Sequence, residues 1–271
     1  MTATRPVALV TGASSGIGKA TALALAEAGF QVVGTSRNTT KVTPIKGVTF
    51  LDLDVVSDES VTTAVGQVIE RFGRIDILVN NAGVGSAGAA EESSVAQAQR
   101  IFDTNVFGVI RMTKAVLPHM RAQGSGRIIN VSSVLGFLPA PYGAVYAASK
   151  HAVEGYSESV DHEVRQHGVR VLLIEPAFTE TAFDANRPQP ETPLGIYAQQ
   201  RQISDQVLAA AIKDGDDPAL AAKVIVAAAT DSKPKLRYTA GALARRVSTL
   251  HRIVPSRAFD RQIRKLNRLP G

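Results

Sequence analysis

The 271-residue sequence contains no cysteine. This absence excludes disulfide frameworks, thiolate nucleophiles and cysteine-ligated zinc, so any chemistry must come from oxygen and nitrogen groups or from a bound cofactor. The five histidines show no repeated spacing with carboxylates that would suit a metal ion, and we therefore expect no metal. A chain without cysteine is typical of a reducing compartment.

The beginning of the chain lacks a long apolar segment. Residues 1–11 contain one arginine and a five-residue apolar run that leads directly into a glycine-rich turn. That run is too short for the apolar core of a signal peptide or for a membrane span. We therefore expect a cytoplasmic protein.

Positive charge is concentrated at the C-terminal end. The formal net charge is +6, but residues 233–271 contain eleven lysines and arginines and one aspartate, which gives 11 − 1 = +10 there and −4 in the rest. The high isoelectric point therefore describes a basic C-terminal extension rather than the whole molecule.

Short apolar runs alternate with longer helical patterns over the first two thirds of the chain. The predicted strands are Pro6–Val10, Gln31–Gly34, Thr49–Leu53, Ile75–Val79, Arg127–Val131 and Val169–Ile174. The predicted helices are near 17–28, 58–72, 95–122 and 146–167. Continuous apolar strands separated by helices predict an α/β fold with a doubly wound parallel sheet of the Rossmann type. We expect one domain over residues 1–271, whose doubly wound part accounts for everything up to residue 176, with only a loop or a single turn between residues 38 and 48.

The pattern changes after Pro176. Residues 187–193 contain three prolines, and helical patterns follow near 196–213 and 217–229. We interpret 177–215 as a wall over the substrate site, mobile over its first part, 177–200. Residues 233–271 form the basic extension, for which we expect helices.

A strand that turns through glycines into a helix is typical of a phosphate-binding loop. Val7–Val10 runs into Thr11-Gly-Ala-Ser-Ser-Gly-Ile-Gly18, and a helical pattern begins at once. Such a turn directs free N–H groups and the positive end of the helix dipole at a diphosphate. The glycine spacing differs from the common G-x-G-x-x-G fingerprint. The residues expected to contact the cofactor are Gly12, Ser14, Ser15, Gly16, Ile17 and Gly18.

The end of the second predicted strand favours NADP(H) over NAD(H). No acidic residue occurs between Glu27 and Asp52, whereas Arg37 follows this strand. In such folds an acidic residue at this place binds the ribose 2′-hydroxyl of NAD, and an arginine accommodates the 2′-phosphate of NADP. An ordinary solvated arginine is the alternative. Asp54, just past the third strand, would bind the adenine edge or cap the next helix.

Tyr146 and Lys150 form a candidate proton-transfer pair. They are four residues apart on a predicted helix, so both project from one face. A neighbouring ammonium favours the phenolate, and we expect Lys150 to lower the pKa of Tyr146. Ser133, thirteen residues before Tyr146, follows a strand at the carboxyl edge where open α/β sheets bind ligands.

These motifs together resemble the short-chain dehydrogenases/reductases of about 250 residues. The resemblance covers residues 6–181, in order and with the expected separations. Its pieces are the glycine turn at 11–18, Asp54, Asn80-Asn-Ala-Gly83, Asn105, Ser133, Tyr146-x-x-x-Lys150, and Pro176 with Thr181. The resemblance implies an NADP(H)-dependent enzyme that moves a hydride between the nicotinamide and a carbonyl or alcohol carbon.

The resemblance also implies roles for the catalytic residues. Tyr146 would exchange the proton with the substrate oxygen, and Lys150 would hold the nicotinamide ribose. Ser133 would polarise the carbonyl, whereas the neighbouring Ser132 faces the opposite way. Asn105 would hold a water in a proton relay, or would be a buried amide that satisfies helix backbone.

Further residues would line the cofactor. Asn80, Ala82 and Gly83 resemble the turn beside the adenosine ribose, where Asn80 is either a contact or a structural residue. Pro176 and Thr181 would border the nicotinamide, with Thr181 at its carboxamide. Ala177 departs from the family's usual glycine. The long C-terminal part resembles steroid- and retinol-type dehydrogenases, which suggests an apolar ketone or aldehyde as substrate.

Several alternatives remain open. A non-enzymatic NADP(H)-sensing regulator of the same fold would lack at least one of Ser133, Tyr146 and Lys150, and all three are present. The basic extension would contact an anionic membrane surface weakly, or would pack on its own domain or on a second subunit. It has too few aromatic residues for nucleic acid, which we do not expect as a partner. We expect a homo-oligomer, a dimer or tetramer, formed through the helices near 95–122 and 146–167.

Overall fold

The structure, a computed structural model, describes residues 5–270 and contains a seven-stranded parallel sheet. The strands are β1 (Val7–Val10), β2 (Gln31–Ser36), β3 (Val48–Asp52), β4 (Ile77–Asn80), β5 (Gly126–Val131), β6 (Val169–Pro176) and β7 (Arg237–Ala240). Their order across the sheet is β3-β2-β1-β4-β5-β6-β7, and every neighbouring pair is parallel. The chain turns back at β1, so β1 and β4 flank the point where the strand order reverses. Open parallel sheets bind ligands at this place.

Helices cover both faces of the sheet. They are α1 (Gly16–Glu27), α2 (Asp58–Phe72), α3 (Val95–Phe102), α4 (Gly108–Gln123), α5 (Ala144–Val164), α6 (Ala198–Lys213), α7 (Pro218–Thr230), α8 (Ala242–Ile253) and α9 (Ser256–Leu266). Helices α1 and α7 bury apolar side chains on one face, and α2, α4 and α5 do so on the other. Because both faces are covered, the inner strands β1 and β4 are buried at every position. The predicted doubly wound sheet is therefore confirmed.

The helix predicted near 95–122 is not continuous. A π-helical turn at Asp103–Phe107 separates α3 from α4, so the prediction of one helix is wrong at this point. The apolar residues Phe102, Val106 and Val109 keep helical spacing through the turn, which is why the pattern did not reveal it. Such insertions are frequent at functional sites, and this one contains Asn105.

The sheet continues past residue 176, where we had expected the doubly wound part to end. Strand β7 pairs with β6, and α7 packs between α1 and β7. The segment between residues 38 and 48 contains only the predicted single turn, Thr39–Lys41.

The basic extension, residues 233–271, forms the expected helices α8 and α9, but it begins with strand β7 of the sheet, which the prediction of helices missed. Ala244 of α8 is fully buried against Val134 and Leu138, beside the end of β5. At the other end, Gln200 of α6 donates to the carbonyl oxygens of Asn267 and Arg268 after α9. Within residues 5–270, no helix has both the length and the apolar character that crossing a bilayer requires. Residues 1–4 of the predicted start and Gly271 of the extension lie outside the described residues.

Candidate active site

The glycine-rich turn joins β1 to the N-terminus of α1. Gly12 and Gly16 have φ angles of 64° and 52°, which disfavour side chains. Gly18 has no room for one, since an added Cβ would lie 2.3 Å from the Gly12 carbonyl oxygen. Ser15 is the N-cap of α1, but its side chain makes no capping hydrogen bond. The first N–H groups of α1 are therefore free to bind an anion.

Asn81 and Thr11 hold this turn in place. The Asn81 side-chain amide donates to the carbonyl oxygens of Thr11 (3.0 Å) and Gly12 (3.1 Å). The Thr11 hydroxyl oxygen accepts hydrogen bonds from the backbone N–H groups of Asn81 and Ala82, both at 3.0 Å. Sequence reasoning missed both residues. The doubled Asn80-Asn81 at the end of β4 was the available signal, because strand residues alternate in direction.

Asn80 points away from the cofactor groove. Its amide donates to the Asn130 side chain at 2.8 Å, and Asn130 donates to the Ser157 hydroxyl at 2.8 Å. All three side chains are buried. Of the two interpretations of Asn80, the structural one therefore fits: it ties β4 to β5 and α5.

The groups expected around the dinucleotide lie along this edge of the sheet. An added Cβ at Gly16 would lie 3.2 Å from the Thr181 methyl carbon, so the segment after Pro176 reaches the glycine turn. Arg37 is exposed at the end of β2, and its side chain makes no hydrogen bond or ion pair within residues 5–270. These features would suit a phosphorylated dinucleotide. The N-terminus of α1 is free to bind an anion, the glycines are closely packed, and the Arg37 guanidinium is unpaired.

Asp54 does not cap a helix. Its carboxylate accepts from the Val56 backbone N–H at 3.2 Å, whereas the cap of α2 is Ser57. The capping alternative is therefore wrong, because three residues separate Asp54 from α2 and the last of them, Ser57, is the cap. The contact with adenine remains a prediction.

Tyr146 and Lys150 project together from the first turns of α5, as predicted. The Lys150 ammonium lies 5.7 Å from the centroid of the Tyr146 ring and donates to the Val131 carbonyl oxygen at 2.8 Å. The Tyr146 backbone N–H donates to the Ser86 hydroxyl, which sequence reasoning did not identify. Phe183 covers the Tyr146 ring, with 5.7 Å between the centroids.

The expectation that Lys150 lowers the pKa of Tyr146 is wrong for the described residues. Burial raises the pKa of Tyr146 well above its ordinary value, the charge of Asp184 adds to the rise, and the Ser133 hydroxyl opposes it. Burial also lowers the pKa of Lys150 to about 8, against the effect of Glu154. The phenol is therefore protonated at neutral pH, and the loss of solvent is the largest cause of the rise in its pKa.

Ser133 lies beside Tyr146. Its hydroxyl oxygen accepts from the Leu135 backbone N–H at 3.1 Å and keeps its own proton to donate. The Ser132 hydroxyl is buried and finds no hydrogen-bond partner in the described chain. The two adjacent serines thus differ as expected, and Ser133 is the one at the candidate site.

Asn105 fixes the loop after β4 from the π-helical turn. Its amide accepts from the Val84 N–H and donates to the Val84 carbonyl oxygen, both at 2.8 Å, and also donates to the Ser149 hydroxyl. An added Cβ at Gly83 would lie 3.3 Å from the Asn105 oxygen and 4.0 Å from the Lys150 nitrogen. Asn105 therefore satisfies loop backbone rather than helix backbone, while a water held by its oxygen remains a prediction.

The segment 177–215 contacts this site through Phe183 and is held by buried polar contacts. Glu92 is fully buried and accepts from the backbone N–H groups of Ala89 and Leu194 and from the Arg201 side chain. These hydrogen bonds, with Arg201 itself, lower the pKa of Glu92 although burial raises it. Sequence reasoning gave no sign of this contact, because Glu92 looked like one of several surface acids.

Comparison with known proteins identifies the family. The family model described as short chain dehydrogenase matches residues 6–192, so the chain belongs to the short-chain dehydrogenase family. The 3-ketodihydrosphingosine reductase of Bacteroides thetaiotaomicron is 44% identical over 202 residues, 74% of this chain and 73% of that relative. Retinol dehydrogenase 8 of Bos taurus is 41% identical over 188 residues, 65% of this chain and 60% of that relative.

Solved structures share the fold over nearly the whole length. A short-chain dehydrogenase from Streptomyces avermitilis has a TM-score of 0.84 at 35% identity, covering 97% of this chain and 98% of that one. One from Burkholderia phymatum, solved with NAD, has a TM-score of 0.78 at 28% identity, with coverages of 92% and 93%. A metagenomic short-chain oxidoreductase, solved with NADP, has a TM-score of 0.69 at 29% identity, with coverages of 86% and 96%.

Proposed function

We propose that this protein is an NADP(H)-dependent oxidoreductase that interconverts a carbonyl group and an alcohol. The observation that carries the proposal is the convergence of Ser133, Tyr146 and Lys150 at the carboxyl edge of the sheet, where the free N-terminus of α1 also lies. A site that joins a phosphate-binding turn to a proton donor suits dinucleotide-dependent chemistry on oxygen. Bound NADP(H) would supply the hydride acceptor or donor.

The residues of the chain would position the substrate and move the proton. In reduction, Ser133 donates a hydrogen bond to the carbonyl oxygen and Tyr146 delivers its proton to that oxygen. Reduction requires the protonated phenol, and Tyr146 carries this proton at neutral pH at its ordinary pKa and at its raised pKa alike. Lys150 holds the ribose hydroxyls, and Asn105 keeps Val84 and Ser149 in register beside it.

The remaining cofactor contacts follow from the same edge of the sheet. We propose that the glycine turn binds the diphosphate through Gly12, Ser14, Ser15, Gly16, Ile17 and Gly18. Asp54, Ala82 and Gly83 would border the adenosine, and Pro176 and Thr181 the nicotinamide. Asn80 would hold β4 against β5 behind these contacts.

Arg37 would select NADP(H) through the 2′-phosphate. We expect Arg37→Asp to weaken NADPH binding by about tenfold to a hundredfold and to improve NADH binding, because a carboxylate repels the phosphate and can accept from a ribose hydroxyl. Titration of both cofactors against wild-type and variant protein measures this. An unchanged NADPH-to-NADH preference would refute the role of Arg37.

The proposed substrate is a ketone or aldehyde of apolar character. The printed names of two relatives, 3-ketodihydrosphingosine reductase and retinol dehydrogenase 8, support this class. A screen of apolar and polar carbonyl compounds, followed by NADPH absorbance, tests it, and we expect turnover of at least one apolar carbonyl. Tight NADPH binding without turnover of any carbonyl would favour the alternative, a cofactor-sensing regulator.

We further propose two kinds of association. Val95 of α3 is 76% exposed and Phe107 is 49% exposed, which supports a homo-oligomer through this helical face. On the basic extension, Ala244 and Val247 pack on the domain, whereas Leu243 and Ile253 remain exposed among arginines. That second apolar face supports weak contact with an anionic membrane surface.

A further inference from the structure

A buried ionic cluster lies behind the candidate active site. Arg237 of β7 donates to Glu154 of α5 through Nε (3.1 Å) and Nη2 (2.8 Å). Its Nε also lies 3.0 Å from the Glu175 carboxylate, and its Nη1 pairs with Glu158. The Glu154 and Glu175 side chains are only 7% and 2% exposed. One guanidinium therefore faces three carboxylates, two of which have almost no access to water.

The cluster lies beside Ser132, the residue before Ser133 in the chain. The Glu154 Oε1 atom and the Ser132 hydroxyl oxygen are both buried, and within residues 5–270 neither has a hydrogen-bond partner. Both atoms face Gly136, where an added Cβ would lie 2.9 Å from the Glu154 oxygen and 2.7 Å from the Ser132 oxygen. A hydroxyl and a carboxylate that face one point can satisfy each other, with the hydroxyl donating.

The cluster also acts on Lys150. Glu154 follows Lys150 by four residues on α5, so both side chains lie on one face. The Lys150 ammonium is buried, and the negative charge of Glu154 opposes the fall in its pKa that burial causes. Burial raises the pKa of Glu154, whereas Ser132 and Arg237 lower it. Burial likewise raises the pKa of Glu175 to about 7, with Glu154 adding to the rise and Arg237 and Arg252 opposing it.

We propose that Glu154 is a positioning residue of the active site. Through the Ser132 hydroxyl, Glu154 holds the backbone beside Ser133 against helix α5. It also supplies a negative charge one helical turn from Lys150. Arg237 holds the Glu154 carboxylate in the orientation that serves both contacts, with Glu175 and Glu158 as the further partners of that guanidinium.

The test separates charge from position. NADPH affinity and turnover would fall as the pH rises, and the pH of half-loss is the alkaline midpoint. In Glu154→Gln the carboxylate charge is lost, so this midpoint would move to lower pH by about one unit. In Glu154→Asp the charge is kept but withdrawn by one methylene from Ser132, so turnover would fall while the midpoint stays. Fluorescence titration of NADPH across neutral and alkaline pH gives the first readout, and carbonyl turnover gives the second.

Glu158→Gln is the matched control, because Glu158 binds the same guanidinium from α5 but is 44% exposed. We expect it to keep the wild-type midpoint. A wild-type midpoint in Glu154→Gln, or an equal shift in Glu158→Gln, would overturn the charge role.

If Glu154→Gln does not fold, Ser132→Ala and Glu154→Asp test the positioning role instead. Wild-type turnover in both variants would overturn that role. This inference rests on the proposed function, whose own failure would show as wild-type protein that neither binds NADPH nor turns over a carbonyl.

Discussion

Single glycines determine how closely neighbouring groups approach one another around the glycine-rich turn. Gly18 lies within α1, where glycine ordinarily weakens a helix, yet its missing side chain allows the Gly12 carbonyl and the Asn81 amide to approach. Gly66 lies within α2 and is exposed, and an added Cβ there would meet nothing within 4 Å. The two positions thus share a helical setting but differ in what surrounds them.

These glycines predict opposite effects of the same substitution. Gly18→Ala would force the Gly12 and Asn81 contacts apart, so we expect NADPH binding to weaken at least tenfold and thermal stability to fall. Gly66→Ala would stabilise the protein by about 0.5 to 1 kcal/mol, because it only reduces the freedom of the unfolded chain. Thermal unfolding and NADPH titration of both variants check this. Wild-type cofactor affinity in Gly18→Ala would contradict the role of the turn.

Among the elements, a single buried carboxylate holds the segment 177–215, the predicted substrate wall, against the loop before α3. Glu92 lies in the loop between β4 and α3, and it binds Leu194 and Arg201 from the wall. Glu91, the preceding residue, is exposed and accepts only from the Tyr197 hydroxyl, at 2.7 Å. Glu92 and Glu91 therefore provide a buried and an exposed carboxylate on the same loop for comparison.

Removing the buried carboxylate should loosen the wall. Glu92→Ala would leave Arg201 without its partner, and we expect a loss of about 3 kcal/mol in the free energy of unfolding. We also expect faster tryptic cleavage within residues 187–215. Glu91→Ala should change stability by no more than about 0.5 kcal/mol. Equal cleavage rates in the two variants would show that Glu92 does not hold the wall.

The sequence predicted the elements that follow from local patterns. It did not reveal contacts between segments that are far apart in the chain. Continuous apolar runs predicted the first six strands, and the glycine turn and the Tyr146/Lys150 spacing pointed to the candidate site. The π-helical turn around Asn105 was missed because apolar spacing continues through it. The partners of Glu92 and Glu154 were missed because they come from distant segments. The pKa direction of Tyr146 was wrong, since burial cannot be read from a four-residue spacing.

At the scale of the whole molecule, charge is divided between a slightly acidic domain and a basic extension. The residues outside 233–271 sum to −4, and the extension sums to +10. Leu243, Leu250 and Ile253 of α8 are 47%, 38% and 70% exposed, and helical spacing places them with Arg246 on one face. Such a face combines apolar contact with attraction to anionic headgroups.

Sedimentation with lipid vesicles tests this face. We expect binding to anionic vesicles at low salt, weaker binding at physiological salt, and none to neutral vesicles, because the attraction is screened. Ile253→Ser would weaken binding to anionic vesicles, whereas Val95→Ser, on α3 outside the basic extension, would not. If anionic vesicles bind no protein at either salt concentration, the extension only packs on protein.

In the proposed reaction, Tyr146 delivers the proton to a carbonyl oxygen. The most direct measurement is turnover of the best carbonyl substrate with NADPH, by the wild-type protein and by Tyr146→Phe, each with its NADPH affinity determined. We expect Tyr146→Phe to bind NADPH within about threefold of the wild-type protein but to lose turnover by at least about a hundredfold. Equal turnover by the two proteins would contradict it.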